Sequence, residues 1–302
     1  MNRKNFGKLI TALRKENFDS STGKVWSQET LAERANLSLR TIQRIEQGEL
    51  ATIDEKTLLP LMLALQLTTL ERRELCFAAT GIIDADTAYP DNPLEAFREA
   101  WAVLQSICIP AILHDQFYDI MGVNSLALAM HDVSKEMLLV DKEESKGVNF
   151  LKYIFAPQSP LRSSLKNQWS YFVQRTILQF RHMSLRYRHT DSYQVLFNEL
   201  NQYKEFRSAW TATQGTEETI YTQMRSYEYD HPVFGQIRYV VTNTTIITQL
   251  GNLYLSKVIP CSSRTQEVIN QLVEIGKPYA LSLTPWPNSK TIHESLERRV
   301  QL

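Results

Sequence analysis

The stretch Leu39-Arg40-Thr41-Ile42-Gln43-Arg44 combines the side chains that can read the edge of a DNA base pair. An arginine bonds guanine bidentately, a glutamine bonds adenine, and an apolar side chain touches a thymine methyl. At helical spacing Ile42 and Ile45 face inward, which leaves Leu39, Arg40, Thr41, Gln43 and Arg44 outward. Two other groups suggest different chemistry. His114 beside Asp115 invites a general base, and His182, His189 and Asp191 invite a metal. Arg181, Arg186 and Arg188 surround those histidines and would repel a cation, so a solvated basic face explains them better. His231, before Pro232 at a turn, reads as a structural hydrogen-bond donor. The chain has no serine in a nucleophile elbow, no HExxH and no glycine-rich phosphate loop, and its 10 glycines are scattered. These residues argue against an enzyme, a catalytic site or a resident metal.

The base-reading side chains need a helix held by a second helix, and the flanking sequence supplies both. Ser27 is an N-cap, with Glu29 suited to the positive helix end, so a helix over Gln28 to Ala35 follows. Leu31 and Ala35 share its buried face, and Ala32 is small enough for a close crossing. Asn36 falls where a tight turn needs a left-handed residue. Ser38 caps the second helix and Gly48 stops it.

From Ser27 to Gly48 the pattern SQxxLAxxAxxSxxTIxRIExG resembles the XRE, lambda-repressor-like DNA-binding family. The resemblance implies that Arg40 and Arg44, with Leu39 or Gln43 and flanked by Ser38 and Thr41, read bases in the major groove of an operator. It implies that Gln28 holds a phosphate, and that Arg14 pairs internally with Glu46.

Before this motif Phe6, Leu9, Ile10 and Leu13 mark a first helix. Residues 17–25 form an insertion read either as a surface loop, the favoured view, or as a small ribbon with Lys24 near the DNA backbone. A fourth helix follows within Asp54 to Leu67, and a fifth capped by Thr69 ends at Gly81. The expected domains are 1–82 for an all-α DNA-binding domain, 83–109 for a linker and connecting helix, and 110–302 for a second domain. The face of Phe97, Trp101 and Leu104 on the connecting helix would join the domains or pair with a second copy.

Bulk properties fit that division. The chain has 302 residues, 43% hydrophobic and 22% charged, with a net charge of zero. Zero charge suits specific recognition better than indiscriminate coating of DNA, which requires many phosphates to be neutralised. Cys76, Cys108 and Cys261 lack metal-ligand spacing and read as buried free thiols. No apolar run approaches the roughly 20 residues of a membrane span. A cytoplasmic, nucleoid-associated protein is expected.

The second half carries strand signals at Ala111 to Leu113 and Phe117 to Met121, a helix capped by Asn124, a helical middle over Asn149 to Gln214, and a three-stranded meander followed by a last helix. The expected class is α+β, an antiparallel sheet packed with helices, as in PAS-like sensors. PAILHDQFYDIMGVN, NFLKYIF with Arg162 and Trp169, ILQFR, LFNELNQYKEFRSAW and HPVFGQIRY follow one another in an order that resembles the MmyB-like ligand-binding domain, over roughly Pro110 to Pro260. That resemblance implies a pocket for a small apolar effector, fatty-acid-like in character. Its candidate lining is Trp169, Phe172, Phe180, Phe206, Trp210, Met224, Tyr239 and Tyr254, with Arg181 pairing an acid head group or, alternatively, Glu199 or Glu205. The reading is a bacterial transcription regulator acting as a homodimer on double-stranded DNA. The alternatives are a second domain that only dimerises or docks a protein, and an enzyme domain.

Overall fold

Asn2 accepts a hydrogen bond from the Asn5 amide and opens α1 (Arg3–Lys15), whose Phe6, Leu9, Ile10 and Leu13 are buried. This computed structural model describes residues 1–19, 22–80, 92–134, 147–157, 159–216, 226–275 and 278–287. Ser27 and Ser38 cap α2 (Gln28–Arg34) and α3 (Leu39–Gln47) through the amides three residues on. Between these helices Asn36 takes φ 51°, and Gly48 ends α3 at φ 73°. Asp54 caps α4 (Glu55–Ala64). The inward leucines and isoleucines of these helices form one core with Leu75 of α5 (Thr69–Thr80).

Two local features depart from expectation. Residues 17–19 and 24–26, within the expected loop, pair as a short ribbon with a Phe18 to Val25 bridge, in which Trp26 N–H bonds the Asn17 carbonyl and Asp19 N–H bonds that of Lys24. The fifth helix is capped by Thr68 rather than Thr69. Thr68 Oγ1 accepts from the Glu71 amide while the Glu71 carboxylate accepts from the Thr68 amide, a reciprocal box that only the Thr-x-x-Glu spacing from position 68 allows.

Gly7 was not singled out by sequence, yet it sets how closely α1 approaches α3. A Cβ at this position would lie 2.3 Å from the Glu46 carbonyl oxygen. Gly7→Ala is expected to destabilise the protein by about 1–3 kcal/mol, since neither backbone can give way cheaply. Urea denaturation measures this, and an unchanged midpoint would show that the two helices slide freely.

The chain divides into two compact units, Met1–Thr87 with Gln174–Thr222, and Ala88–Val173 with Gln223–Leu302. In the second unit Asn92 caps α6 (Pro93–Ser106), which precedes β1 (Ala111–Asp115), β2 (Asp119–Asn124), α7 (Ser125–Met130) and β3 (Val148–Asn149). Then come α8 (Phe150–Phe155), α9 (Leu161–Leu165) and the start of α10 (Trp169–Ser184). The rest of α10, with α11 (Asp191–Leu200) and α12 (Lys204–Ala212), belongs to the first unit. β4 (Tyr227–His231), β5 (Gly235–Thr248), β6 (Gly251–Pro260), α13 (Ser263–Ile275) and β7 (Ala280–Ser282) complete the second. Among the described residues the sheet order is β3-β2-β1-β6-β5-β4, with β7 also on β2 and every pairing antiparallel.

Register assigns side chains to the two faces of this sheet. Leu113 opposite Leu255 packs with Leu253, Met121 and Trp286 under Ala100 and Leu104 of α6. The α6 face expected to join domains or pair with a second copy is therefore spent on this sheet. Gly122 explains the fit, for its missing side chain leaves room for Trp101, and a Cβ there would come within 2.3 Å of the indole. Phe97 stacks on Trp286 at 5.3 Å. On the opposite face lie His114, its cross-strand partner Tyr254, and the pair Tyr239 and Tyr227.

Candidate functional site

Glu46, near the end of α3, gathers the helices that present the DNA-reading candidates. Arg14 of α1 donates to both its carboxylate oxygens, at 2.7 and 3.0 Å, and Gln28 Nε2 donates to it at 2.7 Å. Such a bidentate, charge-assisted pair fixes orientation as well as distance. The Arg14–Glu46 pairing implied by the family resemblance is present. The Gln28 link had no sequence signal beyond its position, and it commits the side-chain amide to Glu46. With α3 held in this way, Arg40 and Arg44 are exposed, and the Arg44 guanidinium lies 3.9 Å from Glu49 at the solvent boundary. Gln43, Thr41 and Leu39 are half-buried, with Leu39 packed on the core. The exposed Ser38 hydroxyl accepts from the Thr41 amide at 3.1 Å.

In the second unit the sheet face opposite α6 is lined by aromatic rings in series. His114 stacks on Tyr254 at 5.5 Å and on Tyr118 at 4.6 Å, and Phe150 continues the series at 5.9 Å from Tyr118. Phe172 meets Phe150, Trp169 and Tyr227, and Tyr227 meets Tyr239 at 5.9 Å. Trp169, Phe172, Tyr239 and Tyr254 of the expected lining thus belong to this connected group, joined by Tyr118, Phe150 and Tyr227, which sequence reasoning did not select. Met224 lies outside the described residues.

His114 and Asp115 do not form a base dyad. The Asp115 carboxylate accepts the Phe117 and Asp119 amides at 2.8 and 3.0 Å, which shapes the turn that carries Tyr118 at φ 63°. His114 bonds the Asp115 carbonyl and Ser256 Oγ, and burial lowers its pKa to about 4, so the ring is neutral near pH 7. His231 spans a turn, its Nε2 on the Ala129 carbonyl and its Nδ1 accepting the Val233 and Phe234 amides. Its structural role holds, as acceptor as well as donor. Cys108 and Cys261 are exposed and Cys76 is half-buried, which corrects the expectation of buried thiols, for the two exposed ones lie just outside α6 and β6. Among the described residues no cluster of histidine, cysteine, aspartate or glutamate is placed to hold a metal.

Phe180, Arg181, Phe206 and Trp210 belong to the first unit, in an aromatic core with Tyr193 and Phe197. Arg181 lies 4.3 Å above the Trp210 ring and 3.2 Å from the Glu71 carboxylate. Arg188, wholly buried, reaches Glu16 at 3.0 Å and also bonds Glu71. Burial alone would raise the pKa of Glu71, but the two guanidiniums and the Thr68 amide hold it at about 2. Glu16 is raised by burial, which outweighs the attraction of the same arginines. The charge pairing of Glu71 was not legible, since its arginine partners lie more than a hundred positions away.

Residues 98–272 match the family described as MmyB-like transcription regulator ligand binding domain, and residues 26–71 match the helix-turn-helix family. No curated protein matches the chain. No described helix is long and apolar enough to cross a membrane.

Proposed function

The chain belongs to the MmyB-like transcription regulators, DNA-binding proteins of helix-turn-helix and ligand-binding domain rather than enzymes, and from this premise we propose a bacterial, effector-controlled operator-binding homodimer that works in the cytoplasm on the nucleoid. The observation that carries the DNA half is α3, clamped through Glu46 with Arg40 and Arg44 exposed. In the major groove these two arginines read bases, aided by Leu39, Thr41 and Gln43, while Ser38 and Gln28 sit at helix N-termini that suit phosphate.

The effector is a small molecule with an apolar, fatty-acyl-like body, held on the aromatic sheet face by Trp169, Phe172, Tyr239 and Tyr254. Aromatic walls with few polar groups favour such a body. Coupling is supported by Glu71, which falls at the end of the helix-turn-helix match, while its partners Arg181 and Arg188 fall within the ligand-domain match. A shift of α10 and α11 is therefore felt at α5, and coupling on the order of 1–3 kcal/mol is expected.

Selection of duplexes from a random library tests the DNA half. A dimer should enrich paired half-sites with centres about one helical turn, roughly 34 Å, apart. Enrichment of a single unpaired half-site would remove the dimer, and no enrichment would remove specific recognition. Mass spectrometry of denatured, freshly purified protein looks for a co-purified apolar molecule.

A further inference from the structure

Two buried polar atoms border one tyrosine in the second unit, and neither has a hydrogen-bond partner among the described residues. The Tyr153 hydroxyl on α8 is one, in a side chain only 3% exposed, and Nδ1 of His131, which ends α7, is the other. Tyr229 lies between them. Its hydroxyl donates to the His131 carbonyl at 2.9 Å, its ring stands edge-on to the His131 ring at 5.0 Å, and it is near enough to act electrostatically on the Tyr153 hydroxyl. Tyr239 closes the group, with its ring 5.9 Å from that of His131. Tyr239 also meets Tyr227, so the cluster is continuous with the aromatic sheet face.

An unpartnered buried polar group is destabilising, and native proteins keep few of them without a reason. Two beside the candidate ligand face point to a ligand. We propose that Tyr153 Oη and His131 Nδ1 form the hydrogen-bonding end of the effector site, and that they select an uncharged head group, a hydroxyl or an amide, over a carboxylate. The inference rests on the apolar-effector reading above and adds the head-group class to it.

The charges present support that choice. Burial lowers the His131 pKa to about 4, with a further contribution from His231, and it keeps the Tyr153 and Tyr239 hydroxyls protonated. Near pH 7 the site therefore offers a phenol and a neutral imidazole nitrogen. The Asp132 carboxylate acts electrostatically on Tyr229. A carboxylate would be desolvated beside it with no compensating cation from these groups, whereas a hydroxyl or an amide can both donate and accept.

Dodecanol and dodecanoate, equal in chain and different in head group, are the probes, and equilibrium dialysis against the full chain at about pH 8 is the measurement. Dodecanol is expected to bind at least about tenfold more tightly than dodecanoate. Tyr153→Phe and His131→Phe should each weaken dodecanol about five- to tenfold while leaving dodecanoate nearly unchanged. Ligand-free Tyr153→Phe should melt no lower than wild type, because its hydroxyl gives up no protein bond. Equal or tighter binding of dodecanoate overturns the proposal, as does a preference for dodecanol that survives in both variants. A lower melting temperature for Tyr153→Phe also overturns it, by showing that the hydroxyl is structural, for example through a bound water. If neither probe binds wild type, the apolar-effector reading falls along with the head-group assignment. If both bind equally and Tyr153→Phe changes nothing, only the head-group assignment falls.

Discussion

Arg188→Met lowers the stability of the unit that carries α3 by about 3–5 kcal/mol, because it strands buried Glu16 and half-strands Glu71. Urea denaturation followed by tryptophan fluorescence gives the loss, and R188M/E16Q should recover part of it by removing the stranded carboxylate. A loss below about 1 kcal/mol would mean that water reaches the cluster. The same cluster sets an acid limit. Glu71 has its pKa depressed from 4.5 to about 2, so its pairing contributes fully above pH 4.5 and is lost as pH falls through about 2. The stability at stake is about 3 kcal/mol. Glu16, with a raised pKa, works in the opposite sense, contributing most below pH 4.5 and less as pH rises through its folded value. Wild type should therefore lose stability between pH 4.5 and 2, and Arg188→Met should show a shallower fall across that window.

Arg40→Ala with Arg44→Ala removes about 2–6 kcal/mol of specific operator binding per half-site, since each bidentate guanine contact is worth about 1–3 kcal/mol. Binding to unrelated duplex should change far less, and preference should relax at two base positions in each half-site. Competition titrations against point-mutated operators read both effects. If the double variant keeps the wild-type preference, α3 is not the reading helix. Gln28→Ala is the contrasting variant. Its amide supports Glu46 and its position suits a phosphate, so it should weaken all sequences about evenly.

The helix-turn-helix was legible because its signals are local. Ser27, Ser38, Asn36 and Gly48 each act on a neighbour within about one turn, and a side chain's capping or left-handed preference is visible in the sequence itself. The antiparallel sheet was legible from strand composition, and its meander from the turns near Gly235 and Gly251. What was hidden depends on contacts between distant segments. Ring chemistry does not depend on which unit a ring joins, so nothing in sequence separated Phe180, Phe206 and Trp210 of the first unit from Trp169, Phe172, Tyr239 and Tyr254 of the second. Gly122 gives no sign that an indole will occupy its missing side chain, and the unpartnered atoms of Tyr153 and His131 exist only once their surroundings close over them.

The buried cluster also fixes an order of events during synthesis. Glu71 and Arg188 are 117 positions apart. At about 5–20 residues per second the ribosome delivers Arg188 roughly 6 to 23 s after Glu71. Throughout that interval a nascent chain holding all of α1 to α5 has two acidic side chains that cannot yet be neutralised in the interior. The first compact unit, which takes in Gln174–Thr222, is therefore complete only after much of the segment that matches the ligand-binding family has been translated.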